Sequence, residues 1–272
     1  MDWKKAKTLM IYVFIFIDLF LLSLLYIRNK DRVDNFDIDP ILESHDIKLD
    51  AKIPKSVTMD ILELNYKVFT DDEIMYKFFD SPLVKSTPES STFKEGDKSL
   101  ILLNNKQIIY VDKPEKAETK IETQEDAANF AIKFLKDRGL DFNLKLQRSS
   151  EADGKLYTVE FEEVEPESGL FLEDAFAIVY LNENGVTGLK YQEFSGINKL
   201  DGKISIRDPK RKLLKIIRDP LAKGRTIVDV SVNYYFNPSN LPSVENIDKI
   251  TSGLANLALR VTLDNGAIIQ ID

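Results

Sequence analysis

Cysteine is absent from the 272-residue chain, and histidine occurs once, at His45. Without thiols there is no disulfide framework and no cysteine nucleophile, a composition compatible with life outside a bacterial cell and equally with a cytosol. A lone histidine in a short helix reads as a surface or cap residue, because nothing near it in sequence completes a general base or a ligand set. There is no G-x-S-x-G elbow, no phosphate-binding glycine loop and no H-E-x-x-H pair, which removes the common hydrolase, nucleotide and zinc signatures. Two carboxylate clusters remain, Asp71, Asp72, Glu73 and the run Glu160, Glu162, Glu163, Glu165, Glu167. Neither has the oxygen spacing and glycine turn of a calcium loop, and an acidic strand face is ordinarily solvated. No catalytic residue, metal or cofactor is therefore assigned, and an enzyme is the least supported class, since a glycan hydrolase needs paired carboxylates that the spacing does not reveal. Basic stripes are missing too. Residues 1–30 carry five basic and two acidic side chains, so residues 31–272 hold −11 of a total of −8. Such a chain is unsuited to nucleic acid and is repelled by anionic lipid headgroups.

What is present is an apolar run from Leu9 to Ile27, LMIYVFIFIDLFLLSLLYI, interrupted only by Asp18 and Ser23. As a helix it spans roughly 28 Å, which matches a bilayer core. A cleavable signal peptide is the competing reading, given Lys4, Lys5 and Lys7 before the run. The run is long for a signal core, however, and ends in Tyr26, Ile27, Arg28, Asn29, Lys30 without a small-x-small site. The expectation is a single-pass cell-membrane protein, with residues 1–8 cytoplasmic, 9–27 spanning, and the C-terminal domain extracellular. Flanking charges do not decide the orientation, which follows the common arrangement of a short basic N-terminus retained inside. Asp18 sits near the bilayer centre, where a carboxylate costs about 2.5–3.5 kcal/mol and asks for a partner, tolerance of a protonated Asp in lipid being the alternative. Its helical face is Ile11, Phe14, Ile15, Asp18, Leu21, Leu22 and Leu25. The lack of Gly or Ala there disfavours close-packed dimerisation of the G-x-x-x-G kind, and this face is the candidate partner-binding site.

Beyond the anchor, the pattern points to an α+β fold of antiparallel sheets each packed with a helix. Ala127, Phe130, Ala131, Phe134 and Leu135 make an apolar helix face between a Thr123 cap and Gly139. Gly154–Pro166 alternates as a strand, and Ala175–Tyr191 reads as a hairpin about Asn184-Gly185. The order returns with a helix opened by Asp208 and Pro209 and carrying Leu213, Leu214, Ile216 and Ile217. A strand over Gly224–Pro238 follows, with Val228, Val230, Val232, Tyr234 and Phe236 on one face, then a hairpin about Asn265-Gly266. A duplicated helix, strand and hairpin unit is the economical explanation. A weaker third copy comprises a short helix at Asp39–His45, strand-like sequence from Val57 to Phe69 whose phase slip at Ile61-Leu62 points to a bulge or to two strands, and a hairpin over Ser99–Val111. Ser81–Asp97 reads as an exposed loop and Asp112–Glu122 as a linker, giving subdomains 34–112 and 113–272.

The opening MDWKKAKT, the anchor with its central Asp18, the stretch IPKSV at Ile53–Val57 and the closing hairpin VTLDNGAIIQID resemble the YycI (WalI) family of bitopic proteins from low-GC Gram-positive bacteria. The resemblance covers essentially the full chain. It implies a YycH-like ectodomain fold and a non-enzymatic role, in which the chain acts with a YycH-like membrane protein on a sensor histidine kinase of the YycG (WalK) type. That kinase signals to YycF (WalR) in control of cell-wall metabolism. Contact through the transmembrane helix is also implied and agrees with the independent reading of Asp18. The rival class is a ligand-sensing extracytoplasmic domain on a passive anchor.

Overall fold

The computed structural model describes residues 3–34, 37–115, 121–140, 143–152, 155–236 and 250–272. They form two compact units, each assembled from segments far apart in sequence. The smaller takes residues up to Lys55 with Asp208–Val230 and Val261–Ile271, and the larger takes Ser56–Arg207 with Ser231–Arg260.

The larger unit is a broad sheet with helices on one face. Its strands are β2 (Val57–Tyr66), β3 (Leu83–Ser86), β4 (Ser90–Glu95), β5 (Lys98–Leu103), β6 (Gln107–Val111), β7 (Leu144–Ala152), β8 (Leu156–Val164), β9 (Phe171–Asn182), β10 (Gly185–Gln192) and β11 (Phe194–Ile206). Parts of β12 (Thr226–Tyr235) and β13 (Ser252–Leu263) complete it, in the order β11-β2-β13-β12-β9-β10-β6-β5-β4-β3, with β8 and β7 attached beside β9. β11-β2, β2-β13, β7-β8, β8-β9, β9-β10, β10-β6 and the run β6-β5-β4-β3 pair antiparallel, and β12 meets β9 in parallel. Helices α3 (Asp71–Phe78) and α4 (Gln124–Asp137) bury Ile74, Phe78, Ala127, Ala131 and Leu135 in one core with Phe93, Leu100, Tyr110, Val159 and Tyr191.

The helix expected from Thr123 is α4, with the Thr123 hydroxyl on the Asp126 amide and the Asp126 carboxylate on the Thr123 amide. Gly139, at φ +57°, ends it in the left-handed conformation that only glycine adopts without strain. The Lys77 ammonium donates to the Arg138 carbonyl at 2.8 Å, which ties the end of α3 to the end of α4. The slip at Ile61-Leu62 also has its cause. On β11, Asp201 and Gly202 bulge out of register between the pairs Leu200 with Ile61 and Lys203 with Asp60. The bulge therefore lies in the partner strand, and β2 stays a single strand with Leu62, Leu64 and Tyr66 buried.

Four expectations are corrected. The sheets are not separate units each with its own helix, because α3 and α4 share one face of one sheet. Ser81–Asp97 is not a loop: Phe93 points into the core, β4 pairs with β5, and β3 closes the edge as an exposed hairpin arm. Strands β7 and β11, largely polar, are added to the expected repeat, so its first copy runs α4-β7-β8-β9-β10. In β12 the apolar phase shifts, with Ile227 and Val230 buried while Val228 is 45% exposed. Asn233, which alternation sets opposite Val232 and Tyr234, is also fully buried.

The smaller unit contains α1 (Trp3–Asp34), α2 (Asp39–Glu43), β1 (Lys48–Leu49), α5 (Pro209–Leu213), a 3-10 helix (Leu214–Arg218), β14 (Ile268–Ile271) and the remaining parts of β12 and β13. The Asp208 carboxylate caps α5 through the Arg211 amide, but the helix expected there is a single turn followed by the 3-10 turn ahead of Pro220. β1 runs parallel to β12, pairing Leu49 with Ile227. Leu42, Ile47, Leu213, Ile216, Val261 and Ile271 are buried.

Candidate functional site

On α1, the side chains from Met10 to Leu24 are exposed throughout. Ile11, Phe14, Ile15, Asp18, Leu21 and Leu22 share one face as the three- and four-residue spacing requires, while Leu25 lies outside the described side chains. Tyr12, Phe16 and Phe20 on other faces are as open, so no side of this stretch is buried against the other described residues. Contiguous apolar exposure of this kind marks an interaction surface. The Ser23 hydroxyl donates to the Phe20 carbonyl at 2.7 Å and is satisfied within the helix, which leaves the Tyr12 hydroxyl and the Asp18 carboxylate as the outward polar groups of this stretch, Asp18 being its one ionisable carboxylate. Among the described residues no helix is long and apolar enough to cross a membrane. The described side chains of α1 from Met10 to Leu24 cover roughly 22 Å, and the apolar run of the sequence continues past both ends of them.

Of the acidic run, Glu163 and Glu165 are buried, Glu160 and Glu162 half-buried, and Glu167 is exposed. In the larger unit, Arg260 of β13 is 6% exposed and its guanidinium pairs with Glu162 of β8 and, at 3.4 Å, with Glu173 of β9. The Asn233 amide of β12 donates to Glu173 at 3.0 Å, and the Phe171 ring lies 5.8 Å from the guanidinium. Four strands thus meet at one ion-paired arginine. Burial raises the Glu162 carboxyl, and Arg260 opposes that rise. Glu163, 3% exposed, is pushed up to about 7 by burial. Asp174, which accepts the Phe236 amide at 3.2 Å, is likewise pushed up to about 7 by burial. Glu160 pairs with Arg148 at 2.6 Å, and Glu167 pairs with Lys199. Glu165 accepts the amides of Glu167 and Ser168, and the hydrogen bonds from Ser168 hold its carboxyl below the ordinary range against desolvation.

Groups protonated near neutrality can exchange protons, but the rise in Glu163 and Asp174 comes from burial. The arrangement holds strands together. Asp71, Asp72 and Glu73 form the first turn of α3, where Thr70 and Glu73 cap each other and Asp71 accepts the hydroxyls of Ser86 and Ser91. Among the described residues no group of three or more His, Cys, Asp or Glu side chains is placed to hold a metal ion. Sequence reasoning missed Arg260, Glu173, Asp174 and Asn233. The only local signal for them is a run of charged and amide residues inside otherwise apolar strands.

No family model matches the chain, and no match is found among curated protein sequences. Among solved structures the chain is similar to YycH from Bacillus subtilis, with a TM-score of 0.56 at 11% identity over 81% of this chain and 53% of that one. An uncharacterized protein from Eubacterium rectale aligns over 88% of this chain and 95% of its own at TM-score 0.48 and 11% identity. The Bacillus megaterium YpeB C-terminal domain aligns over 71% and 88% at TM-score 0.35 and 12% identity. The chain spans about half the length of YycH. At that identity the likeness is one of fold: this is a mixed α+β architecture of the YycH kind.

Proposed function

We propose that the chain is a non-enzymatic, membrane-anchored regulator of a sensor histidine kinase of the YycG (WalK) type, acting beside a YycH-like membrane protein in the control of cell-wall metabolism. In this reading residues 9–27 cross the membrane, the N-terminus is cytoplasmic and both compact units are extracellular. The observation that carries the proposal is the helix α1, exposed on every described side, with a carboxylate at the middle of its apolar run. The YycH-like fold and the sequence resemblance to the YycI family support it.

In lipid the carboxylate is costly until a donor meets it. Phe14, Leu21 and Leu22 flank Asp18 and hold a neighbouring helix at roughly 9–10 Å between axes, too far for a short hydroxyl on the partner to reach a short Asp. The partner donor is a long side chain, Lys, Arg, Gln or His, at the same depth. Regulation then needs one condition: the helix binds one signalling state of the kinase better than the other. The test is co-purification of the full chain from solubilised membranes. Asp18→Leu is expected to lower recovery of the kinase or the YycH-like protein about tenfold, the equivalent of ~1.4 kcal/mol, with Asp18→Asn in between. Recovery unchanged by Asp18→Leu would sink the proposal.

A further inference from the structure

In the smaller unit the end of α2 and the turn that follows the 3-10 helix enclose a cleft of about 460 Å³, lined by Ser44, His45, Asp46, Arg218, Asp219 and Lys223 with Ile47 and Ile217. That volume suits one small ligand. Its walls are fixed by the backbone. Asp46 stands at φ +64°, a left-handed conformation that Asp and Asn tolerate better than other side chains, and its carbonyl accepts the Gly224 amide at 2.8 Å. The Leu42 carbonyl accepts the amides of His45 and Ile47, and the Ile216 carbonyl accepts that of Asp219. Among the lining residues the Asp219 carbonyl likewise accepts the Ala222 amide, at 3.2 Å, and the charged groups turned to a ligand are side chains.

Those side chains carry both signs of charge without pairing. Among the described residues Arg218, Lys223 and the Asp46 carboxylate have no ion pair or side-chain hydrogen bond, and Asp219 uses one oxygen to accept the Leu221 amide at 2.9 Å. His45 Nδ1 lies 3.0 Å from the Ile41 carbonyl. Nδ1 also lies 3.1 Å from the Ser44 hydroxyl; in the tautomer that donates from Nδ1 to the Ile41 carbonyl, Nε2 is left as an acceptor. The cleft thus offers the Asp46 carboxylate, the second oxygen of Asp219 and, in that tautomer, His45 Nε2 to the N–H donors of a primary ammonium. It also offers a guanidinium and an ammonium, the pair of cations best suited to a phosphate.

We propose that the cleft of Asp46, Asp219, His45, Arg218 and Lys223 binds a small zwitterion in which a primary ammonium and a phosphoester lie a few bonds apart. A phosphoethanolamine group has this chemistry, whether as a free phosphoester or as a lipid headgroup. The lipid source is in reach under the anchor reading, because α2 begins five residues beyond Asp34, the last residue of α1. The free source requires no membrane placement.

The full chain in detergent is titrated calorimetrically with glycerophosphoethanolamine, and in parallel is examined by native mass spectrometry with phosphatidylethanolamine. Saturable one-to-one binding of either compound is expected. Binding of the free compound identifies a soluble ligand, and binding of the lipid alone identifies a headgroup. Glycerophosphate, which lacks the ammonium, and glycerophosphocholine, whose nitrogen has no N–H, are expected to bind at least about tenfold more weakly. The paired variants Asp46→Asn with Asp219→Asn, and Arg218→Gln with Lys223→Gln, are each expected to lose about tenfold in affinity at an unchanged unfolding midpoint. The inference is overturned if neither compound binds, or if glycerophosphate binds as well as glycerophosphoethanolamine. It is also overturned if the Asp-to-Asn pair, folded, keeps full affinity.

Discussion

Glu163 and Asp174 make the larger unit sensitive to pH in a direction opposite to most carboxylates. Both are held near 7 by burial, above their unfolded values of about 4.5 and 3.8. A raised folded value means that the folded state keeps its protons longer than the unfolded chain does. The stability this brings is fully present below the unfolded values and is lost as pH rises to about 7. At 1.36 kcal/mol for each pH unit, the loss is about 3 kcal/mol for Glu163 and about 4 kcal/mol for Asp174. Urea unfolding of Glu163→Gln beside the native chain is expected to show the native midpoint falling relative to the variant from pH 4.5 to 7.5. A constant difference over that window would contradict the burial argument. Arg260 is a different case, because its removal leaves Glu162 and Glu173 facing each other without their cation. Arg260→Met is expected to cost about 3–5 kcal/mol, and Glu162→Gln added to it should recover a large part; an unfolding double-mutant cycle measures both.

The capping boxes of α3 and α4 carry predictions at the level of elements. Thr70→Ala and Thr123→Ala each leave a first-turn amide unmet and are expected to cost about 1 kcal/mol in denaturant unfolding, without changing the slope. On β13, a Cβ at Gly253 would run into the Phe236 ring. Gly253→Ala is expected to destabilise by about 1–3 kcal/mol, with partial rescue by Phe236→Leu. Legibility in the sequence divides along the same physical line. Helix α4 could be read because its apolar spacing and its Thr123 cap agree, and the hairpin turns because Asn and Gly announce them. The turn at Asn184-Gly185 is displaced by one residue, since the Asn182 side chain accepts the amides of both Asn184 and Gly185. Helix α3 was hidden because its first turn, Asp71-Asp72-Glu73, is also what an acidic patch looks like. Strands β7 and β11 were hidden because pairing with β8 and β2, more than burial, specifies them. For the candidate site, Asp18 stands out against its apolar neighbours in any window of sequence. The ion pair between Glu162 and Arg260 spans 98 positions and has no local trace.

At the scale of the whole molecule, the compact units are built from discontinuous segments, with β12 and β13 each contributing to both. A chain so arranged carries its long apolar helix in the smaller unit, together with the cleft at His45. Nothing among the described residues covers the side chains of that helix from Met10 to Leu24, and the proposed regulation draws its partner from outside the chain. The measurement that tests this account most directly is crosslinking in intact membranes from a photoreactive residue at Leu22, with and without Asp18→Leu, the adducts being identified by mass spectrometry. An adduct to a histidine kinase or a YycH-like protein that disappears with Asp18→Leu is the predicted result. Lipid adducts alone from the native helix, while the remainder of the chain still co-purifies with those partners, would contradict the account and reduce α1 to a tether.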